Sequence, residues 1–314
     1  MSIIPFDDRD GHIWINGTVV PWRDTKLHVL SHALHYGSSV FEGERVYGGE
    51  IFKLREHTER LIYSASTLDM KIPYTADEID AACKAVIEEA GIVDGYVRPV
   101  AWRGTEMMAI SAQQTKINLA IAAWEWPSYF DPAARMKGIK LKTADWRRPA
   151  PECAPVHAKA AGLYMICTLS KHAAESEGFH DALMLDYRGQ VAEATGANIF
   201  FLMPDGKLHT PTPDCFLDGI TRQTVIDIAK HRGIDIVERA IMPNEISQAK
   251  EVFICGTAAE VTPVGQIDEM TFTPGSVCQL LIDDYTALVN KSPTGDVSVL
   301  ANTSSEQAKQ AELA

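Results

Sequence analysis

The chain has 314 residues, with 29 Lys+Arg against 42 Asp+Glu, a formal charge of −13 and a hydrophobic fraction of 46%. This is the balance of a globular protein with length for about two domains, and the acid excess argues against a general nucleic-acid or anionic-membrane binder. No apolar run approaches the roughly 20 residues of a bilayer helix, and an N-terminus bearing Asp7, Asp8 and Asp10 lacks the basic start and apolar core of a signal peptide, which points to the cytoplasm.

In chain order, Ile13 to Ile15 and Thr18 to Val20 flank Asn16-Gly17, a pair suited to the positive φ angles of a tight hairpin turn. Leu54, Leu61, Ala65 and Leu68 share one helical stripe, and Asp77 to Ala90 reads as a second helix led by an N-capping acid. Strands follow at Tyr96 to Trp102 and Ile117 to Trp124. The polar and aromatic run after Pro127 reads as a linker. Beyond it come a strand from Ile139 to Thr143, a helix from Ala161 to Ser176, and strands at Ala182 to Asp186, Asn198 to Met203 and Lys207 to Thr210, the last pair turned by Pro204-Asp205-Gly206. A helix from Thr221 to His231 is closed by Gly233, and strands at Asp235 to Ala240 and Glu251 to Cys255 complete the pattern. Strand clusters separated by helices, without strict alternation, indicate an α+β chain in two lobes. The tail, residues 291 to 314, is rich in Ser, Thr, Gln, Ala and Glu and reads as disordered. Six scattered cysteines with no CxxC pair read as reduced, small hydrophobes.

Four segments carry candidate chemistry. Lys159 lies in His157-Ala158-Lys159-Ala160-Ala161, among small and apolar neighbours, whereas most lysines sit on solvated faces. Desolvation of this kind lowers an ammonium pKa and frees the amine as a nucleophile. Glu193 lies in Ala192-Glu193-Ala194-Thr195-Gly196 before an apolar strand. It reads either as a loop acid or as a carboxylate held for a buried cation such as a pyridinium nitrogen. Asp218-Gly219-Ile220-Thr221 opens a helix, where free backbone N–H groups can meet a phosphate or simply be capped. Gly256-Thr257-Ala258-Ala259 follows a strand and lets backbone amides approach an anion, unless it is an ordinary turn.

Glu193, Thr195, Asn198, Ile199, Phe200, Leu208, Thr210, Leu217, Gly219, Ile220 and Arg222, taken in this order, resemble the extended signature of class IV aminotransferases. Ser31 to Gly37, Val40-Phe41-Glu42-Gly43, Arg55-Glu56-His57 with Arg60-Leu61, Tyr96-Val97-Arg98-Pro99 and Gly256 to Glu260 look like the bacterial branched-chain amino-acid aminotransferases, and the likeness runs from about His12 to Tyr285. The resemblance implies a fold type IV, pyridoxal 5′-phosphate-dependent enzyme of two α/β lobes, with the active site between them and completed by a second subunit. Its expected domains are a small N-terminal α/β domain over 1–127, a linker over 128–138, and a large C-terminal domain with a barrel-like sheet over 139–290.

By the same resemblance Lys159 is the Schiff-base lysine and proton shuttle of a ping-pong mechanism. Glu193 pairs with the ring nitrogen and Tyr164 with the ring's phenolic oxygen, while Arg60, Ile220, Thr221 and Thr257 hold the phosphate. Thr257 and Ala258 meet the substrate α-carboxylate, and Phe41, Tyr129 and Tyr164 line an apolar pocket. Tyr96 and Arg98 serve the second carboxylate, and Tyr36 reaches the neighbouring subunit's site. The implied reaction exchanges the amino group between Leu, Ile or Val and 2-oxoglutarate in a homodimer, with no metal. Residues 101–109 depart from the small, Gly-rich loop expected there, so Trp102 and Arg103 are expected to narrow the pocket or favour another acceptor. Within the fold, a D-amino-acid or (R)-selective amine aminotransferase and aminodeoxychorismate lyase are the alternatives. Outside it, His28, His32 and His35 at helical spacing suggest a metallohydrolase, though no Glu lies between them as in HExxH.

Overall fold

The structure, a computed structural model, describes residues 4–126 and 136–291. Tyr129, most of the expected linker and residues 292–314 of the expected tail lie outside the described residues. The chain groups into two compact units, Met1–Ser128 with Pro151–Met165, and Tyr129–Ala150 with Ile166–Ala314. The block expected over 139–290 is thus interrupted, because the segment bearing Lys159 packs with the first unit. Ala158 and Ala160 lie in that unit's core, and Ala160 bridges to Val40.

The first unit contains β1 (His12–Ile15), β2 (Thr18–Pro21), α1 (His32–Tyr36), β3 (Ser39–Phe41), β4 (Glu44–Tyr47), β5 (Glu50–Ile51), α2 (Leu54–Thr67), α3 (Ala76–Glu89), β6 (Gly95–Arg103) and β7 (Ile117–Glu125). Its antiparallel sheet runs β2-β1-β7-β6-β4-β5, with β3 also on β6. Asn16 at φ 50° and Gly17 at φ 91° turn the first hairpin. Leu61 and Ala65 of α2 and Ile79, Cys83 and Val86 of α3 pack with Val97, Leu119 and Ile121 of the sheet in one core. The cap of α3 differs from the expected acid. Thr75 takes the cap, its hydroxyl accepting from the Glu78 N–H while the Glu78 carboxylate accepts from the Thr75 N–H, and Asp77 lies in the first turn.

The second unit holds β8 (Ile139–Arg148), α4 (Met165–Ser176), β9 (Asp181–Asp186), β10 (Val191–Ala194), β11 (Asn198–Leu202), β12 (Leu208–Pro211), α5 (Ile220–His231), β13 (Ile236–Arg239), β14 (Glu251–Gly256), β15 (Glu260–Ile267), β16 (Met270–Thr271) and α6 (Ser276–Val289). The sheet order is β10-β9-β8-β15-β14-β11-β12-β13, with β16 on β15. Only β8–β9, β8–β15 and β12–β13 are parallel among the described pairs. One backbone bond joins the start of β10 to the chain just past β13, Val191 N–H donating to Ile241 O at 2.8 Å. Ile199, Phe201, Val252 and Ile254 fill the core, and Arg232 at the end of α5 holds Asp284 of α6 with both arms. The six cysteines form no disulfide with one another, and all but Cys153 are buried.

Glu44 on β4 is fully buried, and neither carboxyl oxygen has a hydrogen-bond partner. Burial first, then the neighbouring Glu42 and Asp80, push its carboxyl well above the usual range. The native state therefore binds this proton more tightly than the unfolded chain does. The associated stability is fully present below the unfolded value of about 4.3 and is lost as pH rises toward the raised native value. Glu44→Gln, which cannot ionise, is expected to flatten the fall in Tm between about pH 5 and pH 8. Thermal melts of both proteins across that range measure it, and parallel curves would count against a neutral Glu44.

Candidate active site

In the first unit, the main chain of Lys159 is held on both sides. Its N–H donates to Ser64 Oγ of α2 at 3.0 Å, and its carbonyl accepts from the Phe41 N–H of β3 at 3.1 Å. Its side chain is half-buried, with Nζ 3.1 Å from the Tyr164 hydroxyl. Phe41 meets the Tyr164 ring edge-on at 4.9 Å between centroids, and Lys159 Nζ lies 5.2 Å from the Phe41 centroid. An amine held beside a phenol and two aromatic rings is in surroundings that suit a nucleophile.

Arg98 lies over the Phe41 ring at 4.7 Å and donates to the Tyr96 hydroxyl at 3.3 Å. Tyr96 is buried against Trp124 and Trp126. Its hydroxyl sits directly over Gly43, where a Cβ would overlap it. Phe41, Tyr164, Lys159, Arg98 and Tyr96 are therefore brought together. Tyr36 is not among them: it is exposed, and its ring stacks on His32 at 4.5 Å.

Arg60 lies on α2 and grips Glu42 with two arms, Nε to Oε1 at 2.7 Å and Nη2 to Oε2 at 2.8 Å. His57 Nδ1–H donates to the same carboxylate at 2.7 Å. Glu42 and His57 are both buried. Burial alone would raise the Glu42 carboxyl, but Arg60 and then His57 outweigh it and hold it well below the usual carboxylate range. Burial, despite Glu42, moves His57 down.

In the second unit, Glu193 is buried on β10. A register shift between Val191 and Glu193 marks a bulge, the device by which a strand re-aims a side chain. Its Oε1 lies 3.4 Å from Arg148 Nε, and its Oε2 accepts from Asn198 Nδ2 at 3.4 Å. Cys167, which accepts from Arg148 Nη1, is pushed up to about 11 by burial. Ile220 and Thr221 are the first residues of α5 and are buried, and no side chain caps that helix start at Gly219. The first N–H groups of a helix have no partner within it, so this end offers donors and a positive dipole to an anion. Thr257 and Ala258 turn out of the end of β14, where Cys255 pairs with Asn198.

Sequence reasoning missed Glu42, His57, Ser64 and Arg148. Glu42 had a signal: an acid between Phe41 and Gly43, in a motif followed by His57 and Arg60 at helical spacing. Ser64 had none, because its role is a long-range contact. Trp102 and Arg103, expected to narrow the pocket or favour another acceptor, are both buried in the first unit. Trp102 is buried with Ile13, Trp22 and Ala120. Arg103 is buried at the end of β6 and donates to the carbonyls of Leu68, Asp69 and Ala112. Both are consumed in the fold. The three histidines likewise serve local bonds: His32 contacts Ser38 Oγ and Ala109 O, His35 contacts Val29 O, and His28 accepts from the Leu30 N–H.

The first unit thus holds an apolar-flanked lysine paired with a phenol, and the second a buried acid and two Gly-containing turns at element ends. The model of the family described as amino-transferase class IV matches residues 39–267, and the chain belongs to that family. A relative in Rickettsia felis, a probable branched-chain-amino-acid aminotransferase, is 43% identical over 295 residues, 93% of this chain and 100% of that protein. A branched-chain-amino-acid aminotransferase of Escherichia coli K12 is 38% identical over 263 residues, 82% of this chain and 85% of that protein. Among solved structures, the T.th. branched-chain amino acid aminotransferase with pyridoxamine 5′-phosphate is 39% identical, covers 91% of this chain and 96% of its own, and has a TM-score of 0.88. These relatives do not favour the amine-type, D-amino-acid or metallohydrolase alternatives.

Removing one member of a buried ion pair leaves the other charge unmatched, at a cost of about 3–5 kcal/mol. Glu42→Ala should lose stability of that order in denaturant titrations, because Arg60 and His57 both give up this partner. A loss under about 1 kcal/mol would show that water replaces the carboxylate.

Proposed function

We propose that this protein is a pyridoxal 5′-phosphate-dependent aminotransferase that moves the amino group between branched-chain L-amino acids and 2-oxoglutarate. One observation carries the reading: Lys159, fixed at both its N–H and its carbonyl, presents Nζ to the Tyr164 hydroxyl. The residues fit the cofactor. The buried Glu193 carboxylate suits a protonated ring nitrogen. The uncapped start of α5 suits a phosphate.

When bound, the cofactor supplies an electron sink for the charge left as the substrate Cα loses its proton. Lys159 Nζ would hold the cofactor and would take up and return the substrate Cα proton. Tyr164, which accepts from that amine, would orient it and donate to the ring's phenolic oxygen. Glu193 would pair with the ring nitrogen. Arg60, held by Glu42, would meet the phosphate with the Ile220 N–H, Thr221 and Thr257. Thr257 and Ala258 offer amides to the α-carboxylate.

The side-chain pocket draws on Phe41, Tyr164 and Tyr129, with Tyr96 and Arg98 beside it. Arg98 over the Phe41 face suits the two demands of the reaction, since one surface must accept an aliphatic chain and then a second carboxylate. Pockets of this kind separate substrates that differ by one methylene by only about 1–3 kcal/mol, so Leu, Ile and Val should all be accepted.

We place the working unit as a homodimer in the cytoplasm. Val29, Leu30, Leu34, Tyr36 and Ile110 are exposed apolar residues of the first unit. His32, stacked on Tyr36, ties α1 to the 104–109 loop: its N–H donates to Gly104 O and its Nε2 lies 3.0 Å from Ala109 O. Tyr36 and that loop would thus present one surface to a partner subunit. No described helix is long and apolar enough to cross a membrane.

Borohydride treatment of the cofactor-loaded protein should place the label on the peptide containing Lys159, and Lys159→Ala should abolish both the label and transamination. Turnover of L-leucine with 2-oxoglutarate is expected, against little with D-alanine or (R)-1-phenylethylamine. A label elsewhere would refute the cofactor assignment. Turnover of the D-amino acid or the amine, but not of L-leucine, would refute the substrate assignment alone.

A further inference from the structure

Asn198 opens β11 with its side chain buried, and its amide has three partners. Nδ2 donates to Leu217 O at 3.0 Å and to Glu193 Oε2 at 3.4 Å, and Oδ1 accepts from the Gly219 N–H at 3.2 Å. These partners fix the amide's orientation, because the reverse placement would set its carbonyl oxygen against both a carbonyl and a carboxylate. One side chain thus touches the acid on β10 and both ends of the 217–219 turn that leads into α5.

The packing at Gly219 is equally tight. Its φ of −69° is open to any residue, yet a Cβ there would overlap Asn198 Oδ1. Glycine is required at 219 by the closeness of the amide and not by backbone conformation. On the other flank, Cys255 pairs with Asn198 across the β11–β14 ladder, so the Gly256-Thr257 turn leaves the sheet beside the same residue.

We infer that Asn198 is a positioning residue that locks the ring-nitrogen acid Glu193 to the phosphate-binding turn at Gly219-Ile220-Thr221, so that the two ends of the cofactor are held in one register. The inference rests on the proposed cofactor reading. A turn free to shift against Glu193 would present its N–H donors at a variable distance from the acid, and a rigid cofactor could then satisfy only one end at a time. Asn198 removes that freedom by bonding to both. It touches no reacting atom and acts through Glu193 and the turn.

The contact can be broken from either side, and the two breaks must not add. Asn198→Ala removes the amide. Gly219→Ala leaves the amide in the sequence but forces it out of place. In the double variant the side chain at position 198 has no Oδ1 for the new methyl group to strike, so Gly219→Ala should cost almost nothing further. The measurements are the Kd of the apoprotein for pyridoxal 5′-phosphate and for inorganic phosphate, and the pH at which the bound cofactor's visible absorption titrates.

N198A and G219A are each expected to weaken both ligands on the order of tenfold, the scale of a lost hydrogen bond to a charged group. The double variant should match N198A within about twofold. In N198A the spectral titration should move by about one pH unit, because Glu193 loses a donor, a change that general loosening of the fold would not produce. Where N198A does not fold, the affinity loss in G219A carries the test. Unchanged affinities, or losses that multiply in the double variant, would overturn the inference while the cofactor reading stands. A wild-type protein that takes up no pyridoxal 5′-phosphate would overturn both.

Discussion

A carboxylate taken out of water must be matched by charge and by hydrogen-bond donors, and the first unit organises itself around that demand at Glu42. Glu42 directly follows Phe41, whose N–H holds the Lys159 carbonyl. Its partners His57 and Arg60 lie on α2, about two turns and one turn before Ser64, which takes the Lys159 N–H. The ion pair therefore pins α2 to the end of β3, and the Lys159 segment is hydrogen-bonded to both. Without this pairing, the two elements that hydrogen-bond the Lys159 backbone would lose their charged link to each other. The low-lying Glu42 carboxyl and the raised Glu44 carboxyl show the same rule with opposite outcomes two residues apart. The Arg60 cation and the His57 donor keep one ionised, and burial without a hydrogen-bond partner leaves the other neutral.

The second unit solves a related problem by a different route. Glu193 is set on a bulged strand between Arg148 and Asn198, so its charge is supported from two sides. A carboxylate offers about four lone-pair sites, so such support is compatible with a further cationic donor, the property a ring nitrogen requires. The 219–221 turn contains no basic side chain, and what it offers is the N–H groups of a helix start. Backbone donors held by the fold need little reorganisation when charge arrives.

Much of this was legible in the sequence, and the reasons differ from element to element. The Asn16-Gly17 hairpin, α2, α5 and the strands at 95–103 and 117–125 follow from local turn chemistry and periodicity. The short strands β3 to β5, and β10, β15 and α6, were not foreseen. β10 is too short and Ala-rich to alternate, and β15 carries Gly265 and Pro263 inside the strand. Lys159 and Glu193 stood out because their neighbours are small and apolar, a local signal. Ser64 meets the Lys159 main chain across 95 residues of sequence, and Arg148 meets Glu193 from β8 to β10, contacts that no local pattern records. The placement of Lys159 with the first unit was invisible for the same reason, since it follows from the pairing of Ala160 with Val40.

The departure at residues 101–109 shows how an unusual composition can mislead. Trp102 and Arg103 look like intrusions into a substrate pocket when read as loop residues. Once β6 is seen to extend to Arg103, alternation along the strand decides their fate. Trp102 turns into the cluster with Ile13 and Trp22, and Arg103 satisfies carbonyls of the turns after α2 and before β7. Their bulk and charge are absorbed by packing within the first unit. The side chains that do gather at Lys159 are Phe41 and Tyr164, with Arg98 over the Phe41 ring and Tyr96 bonded to Arg98. Tyr96 can occupy that place only because Gly43 has no side chain, so the link between β3 and β4 that carries the Glu42 ion pair also makes room for the Tyr96 ring.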